Sequence, residues 1–482
     1  MSRATHTGRP ARMGAVASWI VATAAALSAR AADPVAIPWS PVAPERLTAE
    51  YWIARAPGCE RVLLDAKAVA AQNARVVSAG PGLHDLARLP RTLPGTAVAA
   101  LVETLAAGTS ARPAVPDAAA SVPDPRAWLA LDRLPAEVTP RFALCVRRTD
   151  LRSYPTDLPG RTQPTDTDID RYQESALFPG TPVAVVHASG DGRWAFVIAP
   201  HYAAWVAIDA IAEGDRDAVL GFAAAATRVV TGATVRTVAT AIAPDLSELP
   251  LDMGVALPEM VDWPLTESVN GQGTLGALVV RLPARAADGR LVMRPALLPR
   301  SADTHHGPLA ASRANLLRQA FKFLGERYCW GHRGGGRDCS GFVGECYRSL
   351  GLILPRNSKD QAVCSASFRR TVLAAGSDRA ARMAALATLE PGDLVHVPGH
   401  VMMVIGADER GPWIIHDSHT ATVRGPDGRP MRVPTNSVVV CPLEALLRDD
   451  GTSLVDAIIA LQRYLPPATA SAAEPDAPAS GR

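Results

Sequence analysis

A cysteine stands where a helix should begin, and two histidines follow it in strand-like surroundings; together these side chains can carry out acyl transfer. Cys339 is preceded by Gly331, Gly334, Gly335 and Gly336, too many glycines for a helix, and followed by Phe342, Val343, Cys346, Tyr347 and Leu350 at helical spacing. This predicts a helix from about Asp338, with Asp338 as N-cap, Gly351 just past the end and Pro355 preventing continuation. Cys339 then lies in the first turn, where free backbone N–H groups and the helix dipole favour an anion, and a thiolate is the anion available. Cysteine hydrolases need such a thiolate, an imidazole to exchange its proton and a third group to orient that imidazole. His400 opens one alternating run behind Pro398-Gly399, and His416 ends the next. Antiparallel neighbours bring such positions together, so both rings are expected to face the Cys339 helix. Asp417 and His419 are alternatives for the orienting role, although flanking polar residues on a turn are more often merely solvated. The backbone N–H of Cys339 is one donor for a developing oxyanion. Ser340 lacks the Gly-x-Ser-x-Gly elbow of a serine hydrolase. No phosphate loop, dinucleotide fingerprint or metal-ligand set is present, so no cofactor is expected.

These residues belong to a longer ordered pattern. It runs from Tyr328, Trp330 and Gly331 through Asp338-Cys339-Ser340-Gly341 to Leu354-Pro355-Arg356-Asn357-Ser358 with Gln361. It continues as Pro391-Gly392-Asp393-Leu394, Gly399-His400-Val401 and Ile415-His416. On these motifs the sequence resembles the NlpC-type family of bacterial cell-wall cysteine peptidases, whose core is a small papain-like fold. It departs from the commonest pattern at His332, where a second glycine usually follows Trp-Gly. Cys339, His400 and His416 stand in the order the family uses for its catalytic residues, and the resemblance implies the Tyr328 hydroxyl as a second oxyanion donor. Ser340, Asn357 and Ser358 are expected to line the substrate cleft; the plainer reading of Ser358 is a helix cap toward Gln361.

Ahead of this region the chain divides by composition. The first 31 residues carry Arg3, Arg9 and Arg12, an alanine-rich apolar stretch from Met13 to Leu27, then Ala29-Arg30-Ala31, the layout of a secretory signal peptide cut near Ala31. The stretch falls short of the ~20 apolar residues of a spanning helix, and no cysteine stands near the cut to take a lipid. Residues 32–125 are rich in proline and alanine, with helix-like patches over Cys59–Val76 and Thr96–Ala106 and a linker at Pro113–Pro125. This segment resembles an N-terminal stabilising segment that wraps around the domains C-terminal to it. Over 126–213, short alternating runs at Arg141–Arg147, Pro182–His187, Ala195–Ala199 and Ala204–Ile208 read as a small β-barrel, and they resemble a bacterial Src homology 3-like (SH3-like) domain. A fainter second unit spans 214–300. In cell-wall peptidases of this arrangement barrel residues help to bind the peptide, which points to Glu174, in the loop before the second strand, and Tyr202, ahead of Trp205. Residues 301–465 form the catalytic region, and 466–482 read as a disordered tail. The expected fold class is therefore α+β: a papain-like NlpC-type domain preceded by two small SH3-like β-barrels.

Composition narrows the function. Removing the first 31 residues takes away four arginines and no acid, turning the formal charge of +2 into −2, and no basic run tracks phosphates, so nucleic acid is not expected as a partner. Seven cysteines leave six beside Cys339; most are expected as buried thiols, with one disulfide permitted by an oxidising periplasm. The sequence thus implies a monomeric, periplasmic or secreted cysteine endopeptidase acting on peptidoglycan or murein peptides. The resemblance favours the γ-D-glutamyl to diamino-acid bond. A non-catalytic wall-binding protein and an acyltransferase on the same core are the alternatives.

Overall fold

A computed structural model describes residues 42–113, 124–163, 167–374 and 376–467. The expected signal peptide, most of the linker and the tail from 468 lie outside the described residues. Two helices of the N-terminal segment, α1 (Ala66–Ala79) and α2 (Gly95–Ala107), are attached to different parts of the molecule. Val76 of α1 packs with Trp52 in the core of the catalytic region, whereas Val98 and Val102 of α2 enter the core of the barrel. The segment therefore bridges the two. The patch predicted to start at Cys59 begins its helix only at Ala66, because Asp65 supplies the N-cap, accepting from the Ala68 N–H at 2.8 Å.

The barrel region is one antiparallel seven-stranded sheet. Its strands are β1 (Arg141–Cys145), β2 (Thr149–Arg152), β3 (Gln173–Leu177), β4 (Pro182–Ala188), β5 (Trp194–Ala199), β6 (Tyr202–Ala207) and β7 (Ile211–Gly214), in the spatial order β7-β1-β4-β5-β6-β2-β3. Alternation divides the side chains. Phe196, Ile198 and Trp205 fill one core, and Ala195, Val197 and Val206 fill another. Glu174 lies within β3 and not in a loop, since the segment before it pairs with β2.

After α3 (Arg216–Ala224), the 214–300 segment supplies Arg228–Val230 and Ala256–Leu257 to a three-stranded sheet completed by Thr304–His306, a short hairpin of Thr234–Arg236 with Pro250–Asp252, and a long hairpin of β8 (Ala277–Arg285) and β9 (Leu291–Pro299). Among the described residues these strands do not merge into a single sheet. Leu251, Val280 and Leu298 share the core of Trp205.

The catalytic region opens with α4 (Arg313–Phe321) and α5 (Cys339–Ser349), followed by α6 (Ser358–Val363), β10 (Arg369–Val372) and α7 (Arg379–Leu386). Its later strands are β11 (Leu394–Val397), β12 (His400–Asp408), β13 (Gly411–Ser418), β14 (Ala421–Arg424), β15 (Pro430–Val433), β16 (Ser437–Pro442), β17 (Leu446–Leu447) and β18 (Ala460–Arg463). Six of these strands form an antiparallel sheet in the order β10-β18-β11-β12-β13-β16. Val401, Met403 and Ile415 on one face pack against Phe342 and Cys346 of α5, while Met402, Val404 and Ile414 face a second cluster. All seven cysteines are free thiols, six of them buried, so the permitted disulfide does not form. Among the described residues no helix is long and apolar enough to cross a membrane.

Candidate active site

The helix that begins at Cys339 is set by its cap. Asp338, in extended backbone, accepts the Gly341 N–H at 2.8 Å, which leaves Cys339 at the first helical position. At the other end Gly351 takes the left-handed conformation that closes α5. Cys339 packs in one core with Val401, so β12 docks on the Cys339-bearing helix one residue after His400. His400 Nε2 lies 2.8 Å from His416 Nδ1, and His416 Nε2 lies 3.8 Å from Cys441 Sγ. With Nε2 engaged, His400 has Nδ1 left to offer a thiol. Among the described residues no hydrogen bond joins the Cys339 thiol to the His400 ring. The two histidines share strand parity with Met402 and Ile414, which face the second cluster. That alters the expectation that both rings face α5; His416 accordingly touches Cys441, a member of the second cluster.

Burial, helped by the Asp338 carboxylate, pushes the Cys339 thiol up to about 12. The helix start alone favours a thiolate, but desolvation and a neighbouring negative charge outweigh the dipole, so the expected resting thiolate gives way to a thiol. Burial also holds His400 down at about 4 and His416 well below the ordinary histidine range. The resting pair is therefore a neutral thiol and a neutral imidazole.

Asp417 is no solvated turn residue. It lies inside β13 with no exposed surface, and neither carboxyl oxygen has a hydrogen-bond partner among the described residues. Burial first, then the charges of Asp338 and Glu326, push it up to about 9. It bonds neither histidine; His416 is the group that touches His400. His419 is engaged elsewhere, 5.8 Å from the Tyr328 ring and 3.2 Å from Asp168 Oδ2.

Tyr328 shares with His400 and His416 the lining of a groove of about 710 Å³ that runs on past Thr422, Arg432 and Arg448. On the opposite side the barrel closes in. Tyr202 donates to Glu174 Oε2 at 2.6 Å, and Tyr202 also bonds the Asn357 side chain. Burial raises the Glu174 carboxyl above its ordinary value despite that bond. The Asn357 amide also donates to Asp360 at 2.8 Å, and Ser358 is the first residue of α6. Ser340 is turned inward. Its hydroxyl donates to Asp338 at 3.2 Å and accepts from Arg356 at 2.9 Å.

Sequence reasoning gives no role to the groups that fasten this site. Arg356 forms a bidentate pair with Asp338 at 3.1 and 2.8 Å and donates to Ser175 of β3 at 2.8 Å. Burial works against ionisation of Asp338, and the Arg356 charge more than offsets it, holding the carboxyl at about 2. Gln173 receives the Trp330 indole N–H and donates to the Gly331 carbonyl. Arg356 stands in the Leu-Pro-Arg motif and is findable there. Nothing local marks Gln173 or Ser175.

Comparison with known proteins gives the class first. Residues 325–438 match the profile of the NlpC/P60 family, and residues 160–207 match that of an SH3 domain of the SH3b1 type. The chain thus carries an NlpC/P60 domain behind an SH3b-type domain, as the motifs indicated. Among solved structures it is similar to one described as a novel NlpC/P60 endopeptidase from Photobacterium damselae subsp. piscicida, with 16% identity and a TM-score of 0.67 over 86% of this chain and 96% of that one. That likeness extends the shared fold beyond the two matched segments. An NlpC/P60 family protein from Bacillus cereus is 19% identical over 67% of this chain and all of its own, with a TM-score of 0.45. No curated protein matches the sequence.

Proposed function

We propose that the chain is a secreted or periplasmic cysteine endopeptidase that hydrolyses an amide bond in peptidoglycan stem peptides, the bond between γ-D-glutamyl and the diamino acid. The observation that carries this is the placement of Cys339 at the start of α5, packed with Val401 of β12 one residue after His400, whose Nε2 meets His416 Nδ1 at 2.8 Å. In the forward step the Cys339 proton passes to His400 as sulfur attacks the carbonyl carbon. The Cys339 N–H and the Tyr328 hydroxyl receive the oxyanion. The C–N bond then breaks, His400 returns the proton to the leaving amine, and water activated by the same imidazole hydrolyses the thioester. His416 orients the ring. Because the resting thiol is uncharged, proton transfer belongs to the attack itself. The test is mass spectrometry of murein tripeptide and tetrapeptide digests: release of L-Ala-γ-D-Glu is expected from the wild type and none from Cys339→Ala. Cleavage at a different bond, or intact peptide, overturns the reading.

Selection of a free N-terminal L-Ala is assigned to the barrel side. Glu174, Tyr202 and Asn357 form a row where the peptide's amino end would stop. A charge-assisted bond from the ammonium to Glu174 contributes about 1.5–3 kcal/mol, roughly tenfold to a hundredfold in specificity. The wild type is expected to prefer free over N-acetylated tripeptide by that factor, and Glu174→Gln to lose the preference. Equal wild-type rates on both peptides would place the enzyme among those that cut intact wall.

A further inference from the structure

His332 departs from the motif, and its surroundings give the departure a use. It sits in the left-handed region at φ +65, inside a turn where Gly331 and Gly334 are also left-handed. A side chain there is strained and persists only where its neighbours fix it. The ring is buried and lies edge-on to Phe178, 5.8 Å between centroids. It fits so closely over α5 that a Cβ at position 341 would come within 2.1 Å of its Cε1. Gly341 of the Asp-Cys-Ser-Gly motif is thereby obligatory in this chain.

Both ring nitrogens are used. His332 Nδ1 lies 2.8 Å from an Arg356 nitrogen and Nε2 lies 3.0 Å from Glu345 Oε1. A guanidinium can only donate, so Nδ1 is the acceptor and the proton resides on Nε2, which donates to Glu345. Glu345 is held in turn by Arg337 at 2.7 Å. The donor that His332 receives comes from the same Arg356 nitrogen that grips Asp338 Oδ2, the carboxylate that caps the nucleophile's helix. From this geometry we infer that His332 is a positioning residue: as a neutral imidazole it ties Glu345 in the middle of α5 to Arg356, and so fixes the Arg356–Asp338 clamp on the helix start that presents Cys339. The inference rests on reading Cys339 as the nucleophile. It adds to that reading a residue that neither touches substrate nor belongs to the Cys-His-His set.

The consequence for Cys339 has a sign. Arg356 lowers the Cys339 thiol pKa while Asp338 raises it. Letting Arg356 move away leaves Asp338 less compensated and makes the thiol harder to ionise. Two substitutions separate positioning from packing. His332→Gly suits the left-handed backbone but offers Arg356 no acceptor. His332→Asn also tolerates that backbone and keeps an acceptor oxygen near the Nδ1 position. Measurements are the thermal midpoint, kcat and KM on murein tripeptide, and the rate of Cys339 alkylation by iodoacetamide at pH 8, located by peptide mass because six other thiols are present. At a pH below the thiol's, that rate tracks the thiolate fraction. His332→Gly is expected to lower kcat tenfold or more with KM within twofold, and to slow alkylation at least threefold. His332→Asn is expected to recover most of both, whatever its thermal midpoint. Alkylation and kcat within twofold of wild type in His332→Gly overturn the inference; so does a His332→Asn protein that folds but recovers neither, and that result counts even where the glycine variant fails to fold. If the wild type leaves the tripeptide intact while alkylation follows the predicted order, the substrate assignment falls and the positioning role stands.

Discussion

Two of the junctions at which the barrel meets the Cys339 region, one behind Cys339 and one at the mouth of the groove, are built from opposite materials. Behind Cys339, Arg356 joins Ser175 of β3 to Asp338, and Gln173 interlocks with Trp330 and Gly331. Asp170, itself paired with Arg152 at 2.9 Å, reaches Arg333 at 2.6 Å. Arg356, Asp338, Gln173 and Asp170 are buried, and each makes more than one bond. At the mouth, Asp168 alone contacts Arg327 at 2.8 Å, His419 at 3.2 Å and Asn436 at 2.9 Å, with the carboxylate 42% exposed. The first junction works as a fixed wall. The second is a clasp that water and salt reach, next to the groove through which the leaving part of a substrate would depart. The difference teaches that the barrel is rigidly registered to the region behind Cys339 and only loosely to the rim of the groove at Asp168.

The largest expected effect breaks the fixed wall. Arg356→Ala leaves the Asp338 carboxylate buried without its ion-pair partner, a change that costs about 3–5 kcal/mol. Denaturant unfolding should show this loss. Arg356→Lys should recover little, because an ammonium cannot make the bidentate contact while also donating to Ser175 and His332. A loss below ~1 kcal/mol, the range of exposed pairs, would show that the two junctions are alike after all.

Asp417 sharpens the comparison, being buried like the wall but unpaired. Its folded carboxyl, at about 9, is raised far above its ordinary value of 3.8. The folded state therefore binds the proton more tightly than the unfolded one. Its contribution is complete below pH 3.8 and is lost as pH rises toward 9, with a slope of at most about 1.4 kcal/mol per pH unit. Asp417→Asn copies the neutral acid and should remove that slope. Thermal midpoints of both proteins between pH 5 and 9 should diverge with rising pH in favour of the variant; parallel curves would mean that Asp417 is ionised or hydrated.

Much of this is legible in the sequence, for physical reasons that differ by residue. The Cys339 helix can be read because glycines, an N-cap aspartate and apolar spacing are all local signals, and its observed bounds follow from them. The strands bearing His400 and His416 are visible through alternation, but not the face they present, since strand parity is fixed by which cluster each neighbour joins. The helix dipole favours a thiolate at Cys339, whereas burial and Asp338, which raise its pKa, act through tertiary packing and leave no local signal. Strands β2 and β3 are hidden: their inward residues include Arg152 and Gln173, polar groups that pair with Asp170 and Gly331. No alternation of apolar residues marks such strands. Glu174 reads as a loop residue for the same reason.

The smallest effect belongs to the clasp, and its smallness is what the comparison demands. Desolvation, the largest single influence on the Asp168 carboxylate, raises it, and hydrogen bonds from Arg327, His419 and Asn436 together outweigh that and hold it below its ordinary value. All of this takes place in high dielectric, with Arg327 63% exposed. Exposed pairs of this kind contribute about 0.2–1 kcal/mol and are screened beyond roughly 10 Å at 0.1 M salt. Asp168→Ala should therefore cost no more than that in 0.05 M sodium chloride, and most of the cost should vanish at 0.5 M, where the wild type loses the same contacts to screening. The Arg356→Ala deficit should persist at both salt concentrations, because the Asp338 pair is shielded from solvent ions. His419, freed from Asp168, remains against Tyr328, so kcat on the tripeptide should change less than about twofold, on the reasoning that a surface contact gives under 0.5 kcal/mol. A salt-independent loss of several kcal/mol in Asp168→Ala would make the clasp a second fixed wall, and the groove beyond His400 would then be held as firmly as the site behind Cys339.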